Sequence, residues 1–251
     1  MTESYRALCS DFYVNQKFAM KMDLPKTRES VLDLFERARK QFPAMGSFRR
    51  FREELALESP QSDTPHRWLA LKGNNVRTGT VNPGTMPEAY ALHLFILETA
   101  PFFLNISPLD VDFIELLYGF DILAGGNHDA VVFEALFAGS PLATMLEVPG
   151  ATPIECQPVV GISLPGRDDV HAHVEVKTHP TPQAGARRDD DAGPQPISVY
   201  LTLRRFGSIG EVKDLPRIFR DLAVKGEELL ESRVVPKLLV PIREAAGLGH
   251  G

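Results

Sequence analysis

The sequence predicts an α+β fold: two pseudo-repeats of β-α-β(2–3)-α, joined in a curved antiparallel sheet with helices on one face. Three observations predict it. The stretch 106–137 reads as strand, glycine turn and helix. The same order occurs about a hundred residues earlier. Each copy is followed by alternating strands and then by another helix, the order from which antiparallel sheets with helices on one side are built.

In the stretch 106–137, Ser107-Pro108 opens a turn. Ile114, Leu116, Tyr118, Phe120 and Ile122 then alternate with Phe113, Glu115, Leu117, Gly119 and Asp121, the period of two that a pleated strand requires. Gly125-Gly126 breaks the strand. Asn127 or Asp129 is placed to cap a helix carrying Val131, Val132, Phe133, Leu136 and Phe137. In the earlier copy, Phe12 to Met22 alternates. Pro25-Lys26-Thr27 opens a helix with Val31, Leu34, Phe35, Ala38 and Phe42 at helical spacing. A shift of 102 places Phe18 on Phe120, Val31 on Phe133, Leu34 on Leu136 and Phe35 on Phe137.

The rest of the first half (1–105) reads as follows. Phe48 to Glu58 is one strand-like segment, with Phe51, Leu55 and Leu57 on its apolar side. Arg67–Lys72 and Val76–Val81 form a hairpin around Gly73-Asn74-Asn75. A helix from Glu88 to Thr99 is apolar on most of its surface, and Pro101 is expected to stop it. In the second half (106–251), Pro141 to Pro158 is irregular. Val159–Leu164, Val170–Thr178 and Ile197–Phe206 are strands. A helix with Leu215, Ile218, Phe219 and Leu222 on one stripe follows, and Pro236 and Pro241 punctuate a last apolar helical stretch. Between the last two strands, 179–196 is rich in Pro, Gly and charge and reads as a flexible loop. Leu34, Phe35, Phe133, Leu136, Phe137, Ile218, Phe219 and Leu222 are the expected core.

In element order alone, this repeated unit resembles the repeat of the TATA-box-binding-protein-like fold. No motif accompanies the resemblance, and fold is not function.

Composition narrows the class. With 43% hydrophobic and 24% charged residues the chain is that of an ordinary globular protein. The N-terminus lacks a basic stretch followed by an apolar one, so no secretory signal is expected. The most apolar segment, Ala89 to Ile106, is interrupted by His93, Glu98 and Pro101, too broken for a membrane span. Cys9 and Cys156 are the only cysteines and make no disulfide framework or CxxC pair, which points to reduced thiols in the cytoplasm. Residues 1–105 carry 14 Lys and Arg against 12 Asp and Glu, and the remainder 13 against 21. A field of this kind does not draw the chain to nucleic acid or anionic lipid.

Three constellations are candidates for chemistry. On the strand after Asp168-Asp169, residues two apart share a face, so His171, His173 and Glu175 point one way and offer ligands for a divalent metal such as zinc. Their order superficially resembles the HxH of cupin metal sites, from which it departs where this chain has Lys177. Asn127-His128-Asp129, behind two glycines at a helix start, could take an anion on free backbone amides, although neither GxGxxG nor GxxxxGK[ST] is present. Arg49, Arg50, Arg52, Arg67, Lys72 and Arg77, with Trp68 among them, make the first half's strands basic enough to consider single-stranded nucleic acid. No GxSxG elbow and no HExxH motif occurs. The leading expectation is a cytoplasmic binding or interaction protein with no catalysis and no cofactor, taking a protein or small-molecule partner and forming a homodimer. A metal-dependent enzyme at His171 and His173, and single-stranded nucleic-acid binding by the first half, are the alternatives.

Overall fold

A computed structural model describes residues 5–25, 27–178 and 195–248. The strands are β1 (Asp11–Met20), β2 (Ser47–Arg50), β3 (Glu54–Glu58), β4 (His66–Lys72), β5 (Asn75–Val81), β6 (Val111–Leu123), β7 (Val159–Leu164), β8 (Arg167–Lys177) and β9 (Pro196–Phe206). They form one nine-stranded sheet in the order β2-β3-β4-β5-β1-β6-β9-β8-β7. Every neighbouring pair is antiparallel. The helices are α1 (Arg28–Gln41), α2 (Met86–Phe103), α3 (His128–Phe137), α4 (Leu215–Leu229) and α5 (Val240–Leu248), with a stretch of wide π-type turns, Leu230–Leu239, linking the last two. The fold is thus α+β.

Alternation sorts the sheet into two faces. Phe12, Val14 and Phe18 of β1, Ile114, Leu116, Tyr118, Phe120 and Ile122 of β6, and Ile197, Val199, Leu201 and Leu203 of β9 are all buried. The helices lie on that side: α2 packs on β5 and β1, and α4 on β9 and β6. Phe12 and Phe120 face each other across the β1–β6 register with ring centroids 5.1 Å apart. Each such side chain taken from water contributes about 1.5–3 kcal/mol, so the two central strands carry much of the stability.

Polar groups within this core bond to one another. Tyr90 Oη of α2 lies 2.7 Å from Tyr118 Oη of β6 and donates to Glu227 of α4 at 2.8 Å. Burial first, and for Tyr90 also the neighbouring Tyr118 and Glu227, pushes both phenols upward, so they remain donors. Gly226 lets α4 approach: a Cβ there would stand 2.5 Å from Tyr118 Cε2. Beside this, Thr78 Oγ1 donates to Gln16 Oε1 at 2.9 Å and lies 2.6 Å from His93 Nδ1, all three residues being buried.

The structure differs from the sequence reading in four places. Phe48 to Glu58 is a hairpin, β2 and β3, closed by Phe51 N donating to Glu54 O at 2.8 Å. The turn contains neither Gly nor Pro, and its alternation continues through it. Helix α2 runs through Pro101 to Phe103. Proline there costs one backbone donor near the end of the helix, and the chain turns out of the helix only at Asn105, whose φ of 51° is left-handed. Pro236 and Pro241 likewise lie inside continuous helical structure, Pro236 within the wide turns. Finally, Phe133, Leu136 and Phe137 are only half-buried, while Val132 is the buried apolar residue of α3. This helix packs chiefly on α5, so its apolar stripe is shared between the core and the surface. Leu34, Phe35, Ile218, Phe219 and Leu222 are buried as expected. The flexible-loop reading of 179–196 falls outside the described residues, apart from Gln195 and Pro196.

Candidate functional site

The face of the sheet opposite the helices carries the alternate residues of each strand, and their register arranges them in rows. One row runs Arg77, Lys17, Glu115, Arg204 and His171 across β5, β1, β6, β9 and β8. The next runs Trp68, Gly79, Asn15, Leu117, Thr202 and His173. A cross-strand step is about 4.8 Å, so neighbours in a row touch.

Three aromatic rings on this face lie across glycines of adjacent strands. A Cβ on Gly79 would stand 2.1 Å from Trp68 Nε1, one on Gly119 2.2 Å from Tyr13 Cε2, and one on Gly161 2.8 Å from His173 Cδ2. A ring over a glycine covers the bare backbone and rests along the sheet, instead of standing up from it.

Charge on the face is largely matched. Arg204 Nε donates to Glu115 at 2.7 Å, Arg77 meets Glu54 at 3.5 Å, Arg49 meets Glu58 at 3.4 Å and Lys177 meets Glu175 at 3.3 Å. Pairs of this exposure contribute about 0.2–1 kcal/mol each. Lys17 and Lys72 have no ion pair among the described residues. Lys17 instead sits 5.1 Å from the centroid of Phe113, which Arg204 also approaches, at 4.5 Å.

The two unpaired lysines border one depression of about 390 Å³, which Asn15, Trp68, Asn75, Arg77, Glu115 and Leu117 also line. Asn15 Oδ1 and Asn75 Oδ1 are buried there without a hydrogen-bond partner. An acceptor left so costs about 1–3 kcal/mol.

The residues expected from sequence distribute unevenly. His171, His173 and Glu175 share the open face of β8, as alternation requires. The two imidazole centroids are 6.4 Å apart. His171 packs against Phe206 at 5.0 Å, His173 covers Gly161, and Glu175 pairs with Lys177. Among the described residues, no group of three or more His, Cys, Asp and Glu is arranged to hold a metal.

Asn127-His128-Asp129 is occupied by the fold. Asn127 Oδ1 accepts from Ala130 N at 3.1 Å and its Nδ2 donates to Pro153 O at 2.8 Å. Asp129 Oδ1 accepts from Cys156 N at 2.8 Å and from Thr178 Oγ1 at 2.6 Å. The turn staples the irregular segment before β7 to the start of α3.

The basic residues of the first half divide three ways. Trp68, Lys72 and Arg77 meet at the depression, with Arg49 on the same face. Arg67 lies under the helices, paired with Glu88 at 3.2 Å and over the Phe42 ring. Arg50 and Arg52 line a separate cleft of about 780 Å³ between α1 and the β2–β3 hairpin, with Phe48 and Phe51.

Sequence reasoning missed Asn15, Lys17, Asn75 and Glu115. The alternation of β1 and β6 does place Asn15, Lys17 and Glu115 away from the core. Only the strand order brings those strands beside Trp68, and that order is not a local property.

No protein-family model matches the chain, and no curated protein matches it. Among solved structures, the crystal structure of the di-domain ARO/CYC BexL from the BE-7585A biosynthetic pathway is similar at 8% identity over 77% of this chain and 75% of that one. The TM-score is 0.19, at which the likeness carries no argument. Among the described residues, no helix is long and apolar enough to cross a membrane.

Proposed function

We propose that this chain is a cytoplasmic binding protein, without a chemical step of its own, that takes its ligand on the open face of the sheet. The observation that carries this reading is the set of rings laid across glycines, Trp68 on Gly79, Tyr13 on Gly119 and His173 on Gly161, on the face opposite the helices. Such rings offer flat apolar area with little side-chain entropy left to lose, which favours binding. The free thiols of Cys9 and Cys156 support the reducing compartment.

The reading includes two pseudo-repeats, 1–105 and 106–251, in the element order of the TATA-box-binding-protein-like repeat. Its support is that β1 and β6 lie side by side at the centre, and that each pairs on its outer side with the last strand of its own half, β5 and β9.

The test is a thermal-shift screen of wild-type protein and the Trp68→Ala and Tyr13→Ala variants against nucleotides, sugars, amino acids, aromatic acids and short peptides. At least one class should raise the wild-type melting temperature and leave one ring variant unmoved. If no class acts on the wild type, or all act equally on the variants, the open face is not the binding surface.

A further inference from the structure

Resting on the open-face reading, we infer that the depression at β4, β5 and β1 is a site for a nucleoside phosphate, with the base on Trp68 and the phosphate held by Lys17 and Lys72. Four features converge. Three indole atoms crowd the place of a Gly79 Cβ, and the ring lines the depression. A planar base gains most from such a platform, because every base has a π-face.

Lys17 and Lys72 are the cations on this lining that have no ion pair among the described residues, while Arg77 lies over the indole at 5.6 Å and pairs with Glu54. An anion there recovers charge pairing that the protein does not itself supply. The spacing also suits the ligand. Trp68 and Lys72 are four residues apart on β4, about 13 Å at the strand rise of about 3.3 Å per residue. That leaves room for a sugar between base and phosphate.

The volume of about 390 Å³ lies in the range of small-molecule sites, about 300–1,000 Å³. A purely apolar or a cationic ligand would satisfy neither lysine.

This chemistry is shared by a free mononucleotide and by one residue of a single strand, and fluorescence separates them. Trp68 is the sole tryptophan, so its emission reports on this site alone. The full chain is titrated with AMP, GMP, CMP and UMP, with a ten-residue single-stranded RNA, and with 2-naphthoate, a planar anion lacking ribose and phosphate. Saturable quenching by a monophosphate, weakened at least tenfold in K17Q/K72Q and unchanged in R39Q, is the expected result. A binding constant for RNA tenfold tighter than for any monophosphate, and falling with added salt, assigns the site to single strands; equal constants assign it to free nucleotides. Quenching by naphthoate alone overturns the nucleoside phosphate and leaves the open-face reading standing. No quenching by any probe overturns the nucleoside phosphate, and the open-face reading is then decided by the sugars, amino acids and peptides of the thermal-shift screen.

Discussion

Trp68 on β4 lies across Gly79 on β5, its Nε1 standing 2.1 Å from the place a Cβ on Gly79 would take. The pair is a matched set in which ring and bare backbone need each other. Gly79→Val should push the indole off the sheet, which a red shift and loss of intensity in the emission of this sole tryptophan would record. β-branched residues ordinarily favour strands by up to about 1 kcal/mol. A Gly79→Val protein as stable as wild type, with unchanged emission, would show that the ring does not depend on the glycine.

The helix side offers a case where the usual sign reverses. Gly to Ala inside a helix ordinarily stabilises by about 0.5–1 kcal/mol. At Gly226 the added methyl would stand 2.5 Å from Tyr118 Cε2, and Tyr118 is held by Tyr90. Gly226→Ala should therefore destabilise by about 1–3 kcal/mol, the cost of overpacking a filled core. Urea unfolding of the two proteins decides it, and a gain in stability would mean that α4 does not rest on Tyr118.

His93 sets a pH dependence. Burial lowers its pKa from 6.5 to about 3, so the folded protein keeps it neutral while the unfolded chain protonates it below 6.5. Between those values the unfolded state binds more protons, so this contribution is complete above pH 6.5 and is lost as pH falls toward 3. The slope is at most about 1.4 kcal/mol per pH unit. Denaturation of wild type and His93→Gln at pH 7.5 and pH 5 should show a larger loss for wild type. Equal losses would place the titration elsewhere.

Burial separates two phenylalanines that look alike in sequence. Phe219 is fully buried, with Tyr90 at 5.5 Å and His93 at 5.7 Å, whereas Phe133 is half-buried. Phe219→Ala should cost about 3–5 kcal/mol. Phe133→Ala should cost less, because part of its area never leaves water. Equal costs in urea would show that α3 is buried more deeply than its packing on α5 implies.

What the sequence by itself determined is the kind of most elements and their inward faces. Alternation in β1, β6, β8 and β9 reports burial on one side, a constraint that acts on each residue locally. It therefore placed His171, His173 and Glu175 together on a strand, as helical spacing placed Leu34, Phe35, Phe219 and Leu222 in the core. Only the tertiary structure decided what lies beside what. The order β4-β5-β1-β6 puts Asn15 and Lys17 next to Trp68 and Lys72, more than fifty residues away in sequence. The tertiary structure also lays three rings over three glycines and spends Asn127 and Asp129 on stapling a loop. The reason is that pairing partners are chosen by the free energy of the whole sheet, through hydrogen bonds between backbones that are alike at every residue. A strand's own side chains report which face is wet, and they do not report which strand comes next.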